Sequence, residues 1–235
     1  MIQDKTDAII VAAGSGSRLG YSLPKAFVPL GEKPLLYYSV LKYTSHPSVS
    51  SVILVVSSSM LESANAFLED HPQFKNSTII TEGGDERWKS VRNGVHVSQA
   101  EWVLIHDAAR PFITDEVIDS VIQKRECYDS VITATPEVDT IRTFRGDIMG
   151  TTLDRSQVVR VGTPQLFRRT LLSESFSEPS LMDPPPTDEA ALMERKGVTI
   201  GFAWGDPLNF KITTPSDMQI AEALIERDKK MFMGR

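Results

Sequence analysis

The chain has 235 residues, of which 41% are hydrophobic and 24% charged, so it is long enough to bury a sizeable core as one large α/β domain. Its single cysteine, Cys127, excludes an internal disulfide and a thiolate metal cluster within the chain, and we expect it as a buried thiol in a reducing compartment. The net charge of −6 disfavours general nucleic-acid binding, and no apolar run approaches the ~20 residues of a membrane span. We therefore predict a cytoplasmic protein with one domain, 1–235, that binds neither nucleic acid nor membrane.

Short apolar runs recur along the chain and predict strands that are buried on both faces. They cover residues 7–13, 52–57, 78–81, 102–106, 131–135 and 198–203.

Amphipathic segments lie between these runs and predict helices. Pro34 occupies the first turn of one, and Asp85 is a candidate N-cap of a second. Thr214 and Pro215, a cap residue followed by proline, open the last helix. Strands that alternate with helices predict an α/β fold whose mostly parallel sheet carries helices on both faces.

One stretch, residues 138–160, interrupts this alternation. Alternating polar and apolar residues surround a turn at Arg145, Gly146 and Asp147, which predicts a β-hairpin arm projecting from the domain. Composition alone favours an ordinary surface hairpin. Residues 173–186, rich in Ser, Glu and Pro, predict a loop.

The first candidate binding segment follows the first predicted strand and contains Gly14, Gly16 and Gly20. Glycines after a buried strand let the backbone approach a phosphate closely, and Arg18 and Lys25 would add positive charge. The alternative is a plain glycine-rich turn. The spacing fits neither a dinucleotide-binding fingerprint, since the third glycine comes four residues after the second, nor a Walker A loop.

Two further segments also follow predicted strands. Asp107 lies just past an apolar strand, where it would face a ligand or hold Mg²⁺; a helix cap or an ion pair with Arg110 explains it equally well. His106 fits a hydrogen-bonded neighbour better than a metal ligand. Gly83 and Gly84 precede a predicted helix whose N–H groups would bind a polar ligand edge.

Taken together and in order, these segments resemble the 2-C-methyl-D-erythritol 4-phosphate cytidylyltransferases of the non-mevalonate isoprenoid pathway. The resemblance runs from residue 12 to residue 217. It rests on AAGSGSRLG with PK, GGDERWKSV, HDAARP, the VDT and LDR of the arm, GTPQLF, TDEA and NFKITTPSD. It implies a Rossmann-like nucleotidyltransferase fold, CTP and a sugar-alcohol phosphate as substrates, Mg²⁺ or another divalent cation, and a homodimer with interlocking arms.

The resemblance also assigns roles to single residues. It implies that Arg18, Lys25, Arg155 and Lys211 are catalytic, with Arg18 and Lys25 acting around the α-phosphate. It places CTP against Ala12, Ala13, Gly14, Gly16, Gly84, Asp85 and Ser90. It places the acceptor and the metal at Asp107, and the acceptor also near Arg110, Thr140, Arg155, Thr163, Thr187 and Lys211, with Thr140 and Arg155 acting across the dimer.

Departures from the family's pattern are modest. Ala26 stands where many members carry glutamine, Val11 stands where proline is common, and three prolines at 184–186 precede Thr187. Ribitol-5-phosphate cytidylyltransferases share the nucleotide half but match the arm and the TDEA block less closely. A non-catalytic nucleotide sensor is the alternative from another class, but it would not need Arg18, Lys25, Asp107 and Lys211 together.

Overall fold

The computed structural model describes residues 5–14, 19–21 and 23–227. Seven strands form the central sheet, in the spatial order β11-β7-β10-β6-β1-β4-β5. Their bounds are β1 Thr6–Val11, β4 Ser51–Val56, β5 Thr78–Glu82, β6 Trp102–Asp107, β7 Ser130–Pro136, β10 Val159–Arg168 and β11 Ile200–Trp204. Two small hairpins supply β2 Pro29–Leu30 with β3 Lys33–Pro34, and β8 Arg142–Arg145 with β9 Ile148–Thr152.

The sheet is mostly parallel, as the sequence predicts. Strand β1 lies parallel to β4 and β6, β4 to β5, and β7 to β11. Strand β10 runs antiparallel to both of its neighbours, β6 and β7. All six predicted apolar runs are strands, whereas β10 was not predicted.

Helices cover both faces of the sheet because successive strand residues point to opposite sides. On β1, Ala8 and Ile10 belong to one apolar cluster, and Ile9 belongs to the other. The helices are α1 Leu35–Ser45, α2 Leu61–Asp70, α3 Pro72–Lys75, α4 Arg87–Val97, α5 Asp115–Gln123, α6 Arg169–Phe176, α7 Glu189–Arg195 and α8 Pro215–Arg227. The first cluster includes side chains of α1, α2, α3, α5 and α8, and the second includes side chains of α4, α6 and α7.

Helix α8 begins at Pro215, as the sequence predicts, whereas α1 begins at Leu35, so Pro34 is its N-cap residue and does not lie in its first turn. The Thr214 hydroxyl accepts a hydrogen bond from the amide of Asp217 at 3.3 Å, as a cap residue does. Two further expectations are wrong. Residues 173–186 are not all loop, since α6 extends to Phe176, and Cys127 is exposed just after a short 3₁₀ turn, not buried.

The predicted arm is a β8–β9 hairpin. Its two-residue turn uses Gly146 at φ +56°, a left-handed conformation that glycine adopts without strain. Large apolar side chains on the hairpin face outward in the single chain: Phe144 is 76% exposed and Ile148 75%. None of the helices in the described part of the chain has the length and apolar character to cross a bilayer.

Candidate active site

The sheet topology brings the loops after β1, β4, β5 and β6 to one edge, because parallel strands end on the same side. A cavity of about 690 Å³ lies at this edge. Its walls include Ala12, Ala13, Gly14, Lys25, Ser57, Ser58, Gly83, Gly84, Asp85, Arg87, Ser90, Asp107 and Lys211. Apart from Arg110, the predicted site residues of the first half of the chain that the structure describes therefore converge on one cavity.

Tight packing around the backbone of Gly83 forms one wall of this cavity. A Cβ at Gly83 would lie only 2.7 Å from the Cβ of Ala13 and 2.7 Å from the hydroxyl of Ser90, so no larger residue fits without a shift. The buried Ser90 hydroxyl accepts a hydrogen bond from the amide of Gly84 at 3.1 Å. These contacts hold the loop after β5 against the loop after β1.

Asp85 lies at the cavity but does not cap helix α4. The residue before the first helical residue is Glu86, and no side chain caps this helix end. The Asp85 carboxylate instead pairs with Lys89 at 2.8 Å, and Lys89 also contacts Glu86 at 3.0 Å. The hydrogen bond from Lys89 lowers the pKa of Asp85.

Asp107 is the electrostatic centre of the site. Lys211 lies 2.9 Å from its Oδ2, Arg110 lies 3.6 Å from the same oxygen, and Arg87 lies 3.4 Å from its Oδ1. Burial alone would raise the pKa of Asp107, but the charges of Arg87, Lys211 and Arg110 hold it well below its usual range. Asp107 is therefore a carboxylate at neutral pH, surrounded by three cations.

Arg87 connects Asp107 to a second carboxylate. One guanidinium nitrogen of Arg87 donates to both oxygens of Glu189, at 2.7 and 2.9 Å, and Glu189 is wholly buried. Burial raises the pKa of Glu189, an effect that the charge of Arg87 opposes. Burial alone would lower the pKa of Arg87, yet the two carboxylates raise it above its ordinary value.

A network of hydrogen bonds between uncharged groups holds the backbone of Asp107 in place. The Thr163 hydroxyl accepts from the amide of Asp107 at 3.2 Å and lies 3.1 Å from Nδ1 of His106. Nε2 of His106 lies 3.0 Å from the carbonyl oxygen of Arg110, which can only accept, so Nε2 carries the proton and Nδ1 accepts from Thr163. Burial lowers the pKa of His106 to about 4, in keeping with a neutral ring.

Asn209 ties this network to the segment that carries Lys211. Its side-chain amide donates to the carbonyl of Thr163 at 2.8 Å, and its own carbonyl accepts from Arg110 at 2.9 Å. A smaller cavity of about 200 Å³ lies beside Arg110 and Asn209, and Lys211 lines both cavities. Lys211 therefore lies between the two cavities, and Asp107, which it contacts, lines the larger one.

Three predicted residues lie elsewhere in the single chain. Thr140, Arg155 and Thr187 are exposed and line neither of these two cavities. The Arg155 guanidinium donates to the carbonyl of Val138 within the arm, at 2.7 Å. Arg18 and Gly16 lie outside the described residues, so their predicted roles stay predictions.

Sequence reasoning missed Arg87, Glu189 and Asn209 as parts of the site. Arg87 and Glu189 are 102 residues apart, and no local pattern connects them. Both fall inside blocks of the resemblance, GGDERWKSV and TDEA, and this is the one signal that could have drawn attention to them.

Three comparisons with known proteins agree with this architecture. Residues 6–227 match the model of the family IspD, described as 2-C-methyl-D-erythritol 4-phosphate cytidylyltransferase. The enzyme of that name from Alkaliphilus metalliredigens is 35% identical over 231 residues, covering 97% of this chain and 96% of its own length. Its counterpart from Syntrophus aciditrophicus is 34% identical over 231 residues, covering 97% and 99%.

A solved structure agrees with the fold as well. The 4-diphosphocytidyl-2C-methyl-D-erythritol synthase from Anaerococcus prevotii superposes with a TM-score of 0.84 at 27% identity, covering 96% of this chain and 97% of that one.

The neutral state of His106 predicts a pH-dependent stability. Between pH 6.5 and 4 the unfolded chain binds a proton at this residue and the folded chain does not, so stability is complete above pH 6.5 and decreases as the pH falls towards 4. The full shift corresponds to about 3 kcal/mol. Urea unfolding of the wild type and of His106→Gln at pH 7 and pH 4.5 measures it: we expect the wild type to lose more stability on acidification. Equal losses in the two proteins would contradict the assignment.

Proposed function

The chain belongs to the family of 2-C-methyl-D-erythritol 4-phosphate cytidylyltransferases and transfers a cytidylyl group from CTP to 2-C-methyl-D-erythritol 4-phosphate, and we propose that this transfer takes place at the junction of the two cavities. The observation that carries the proposal is Asp107 with its three cations, one of which, Lys211, lines both cavities. CTP occupies the larger cavity, and the acceptor approaches from the side of Lys211 and Arg110.

The charges suit this reaction. An oxygen of the acceptor's phosphate attacks the α-phosphorus of CTP, a new P–O bond forms, and the bond to the β-phosphate breaks to release pyrophosphate. Two anions must meet, so positioning and charge neutralisation do most of the catalytic work. Lys25 and Lys211 line the larger cavity, and Arg110 lines the smaller one. Asp107 holds Lys211 and Arg110 in place before a ligand binds.

The loops after β1 and β5 bind the base and the triphosphate in this proposal. The amide of Ala12 already donates to the carbonyl of Val55 at 2.8 Å, so Ala12 offers a ligand its carbonyl oxygen. Such an acceptor suits the amino group of cytosine. Gly84, Asp85 and Ser90 line the same cavity as Ala12, and so do Ala13, Gly14 and Lys25.

A divalent cation fits this site only as an ion held largely by the substrate. In the described part of the chain, no three His, Cys, Asp or Glu side chains come together as a metal site. Asp107 supplies a single carboxylate, and its contacts with Arg87 and Arg110 are long enough to leave oxygen lone pairs for a metal. Mg²⁺ commonly binds through one carboxylate, water and substrate phosphates. When bound, it would neutralise triphosphate charge.

We infer a homodimer in which the arm completes the partner's site. Two observations support it. Phe144 and Ile148 on the arm are exposed in the single chain. Thr140 and Arg155 line neither of the two cavities of their own chain. Residues 1–235 form one domain in this proposal, with the segment at about 138–160 as its dimerisation arm. A cytoplasmic location stays a prediction.

The first test of the function compares two acceptors. Pyrophosphate release from CTP and Mg²⁺ should occur with 2-C-methyl-D-erythritol 4-phosphate and not with ribitol 5-phosphate. Release with ribitol 5-phosphate instead would keep the fold and the chemistry but change the acceptor. Binding of CTP without release from either acceptor would indicate a nucleotide sensor.

Lys25→Ala should reduce kcat much more than CTP affinity. The charge of Lys25 is proposed to act as negative charge develops around the α-phosphate, and loss of one such group costs about 100-fold or more in turnover. Steady-state kinetics give kcat, and calorimetric titration gives the Kd of CTP. Lys42→Ala, which removes a lysine paired with Asp115 away from the cavity, is the control. A similar loss in Kd and kcat would argue against this role.

Mixing two inactive variants tests the shared site. If Lys25 and Arg155 of different subunits form one site, a heterodimer of Lys25→Ala and Arg155→Ala holds one intact site and one doubly altered site. Random re-association of equal amounts should then restore about a quarter of wild-type activity. Verified heterodimers without recovered activity would rule out sharing.

A further inference from the structure

Glu189 is a buried carboxylate that no substrate can touch. It is 0% exposed, it lines neither cavity, and the hydrogen bonds to its carboxylate come from Arg87. Leaving one partner of a buried ion pair without the other is costly, so Glu189 and Arg87 constrain each other strongly. A residue in this position acts on chemistry only through Arg87.

The guanidinium of Arg87 contacts two carboxylates at unequal distances. It lies 2.7 Å from Glu189 but 3.4 Å from Asp107, so its shorter contact is the one that points away from the reacting groups. Arg87 also lines the larger cavity, where it faces Oδ1 of Asp107 while Lys211 contacts Oδ2. The pair with Glu189 therefore restrains Arg87 from closing fully on Asp107.

We propose that Glu189 is a positioning residue for the cytidylyl transfer: it holds Arg87 at a distance from Asp107 that leaves Oδ1 of the carboxylate available to the substrates. This inference rests on the proposed function of the site. The ion pair between Arg87 and Glu189 joins helix α7, which follows the loop after residue 176, to the first turn of α4 at the nucleotide cavity.

Glu189→Gln tests the restraint with little change in shape. The amide keeps a hydrogen-bond acceptor for Arg87 but loses the charge, so Arg87 should move towards Asp107. We expect kcat per folded protein to fall at least about tenfold, since small misplacements at a reacting centre are that costly, while the Kd of CTP stays within about threefold. A kcat within about twofold of the wild type overturns the proposal, and so does an equal loss of kcat and CTP affinity.

A double variant separates positioning from stability. Arg87→Met with Glu189→Met replaces the buried pair by apolar side chains of similar size, an exchange that is often neutral or stabilising. We expect a melting temperature close to that of the wild type and a kcat at least about threefold above that of Glu189→Gln, because no Arg87 remains to close on Asp107. A stable double variant whose kcat is no higher than that of Glu189→Gln would overturn the proposal. If this variant does not fold, Glu189→Gln alone decides.

Asp129→Asn is the matched control. Arg168 is also shared by two carboxylates, Asp129 and Glu101, but this cluster lines neither cavity. The control should keep wild-type kcat. Wild-type pyrophosphate release with 2-C-methyl-D-erythritol 4-phosphate, measured in the same assay, separates the two questions: its absence would refute the proposed function, whereas its presence with an unaffected Glu189→Gln would refute only the role of Glu189.

Discussion

A carboxylate buried at the end of a fully buried strand is the constraint on which the site depends. Asp107 ends β6, in which every residue is buried, and an isolated charge at such a place would be very costly to desolvate. The fold meets that cost with Arg87, Arg110 and Lys211, and each of these must be held in turn. Much of the surrounding structure serves to hold these partners.

The partners come from distant parts of the chain. Arg87 opens α4, Arg110 follows β6, and Lys211 precedes α8. Asn209 anchors the last two through hydrogen bonds to Thr163 and Arg110, and the Thr163 hydroxyl accepts from the Asp107 amide. Arg110 is thus held by the Asn209 carbonyl as well as by Asp107, whereas carboxylates hold Arg87 and Lys211. The site is therefore organised before a ligand binds.

The strands of the parallel sheet could be predicted from the sequence because their apolar runs are continuous. Strand β10 could not be predicted in this way. Its middle contains Gly162, Thr163 and Gln165, and its register with β7 shifts between Gly162 and Leu166. That irregular stretch brings Thr163 beneath Asp107. The polar residues and the register shift that make this strand hard to predict are thus the features that build the site. Arg87 and Glu189 could not be paired from the sequence either, because only the folded chain brings them together.

The two buried carboxylates add negative charge to a site that must bind anions. The protein carries a net charge of −6, and Glu189 adds a further negative charge next to the proposed phosphate site. A cluster of unpaired cations would, however, repel itself and leave long side chains free to adopt several positions. Asp107 and Glu189 hold the three cations in one arrangement while leaving them in excess. Affinity for a polyanion is reduced by this arrangement, but the cations stay where the phosphates must react, and position matters more than affinity for turnover.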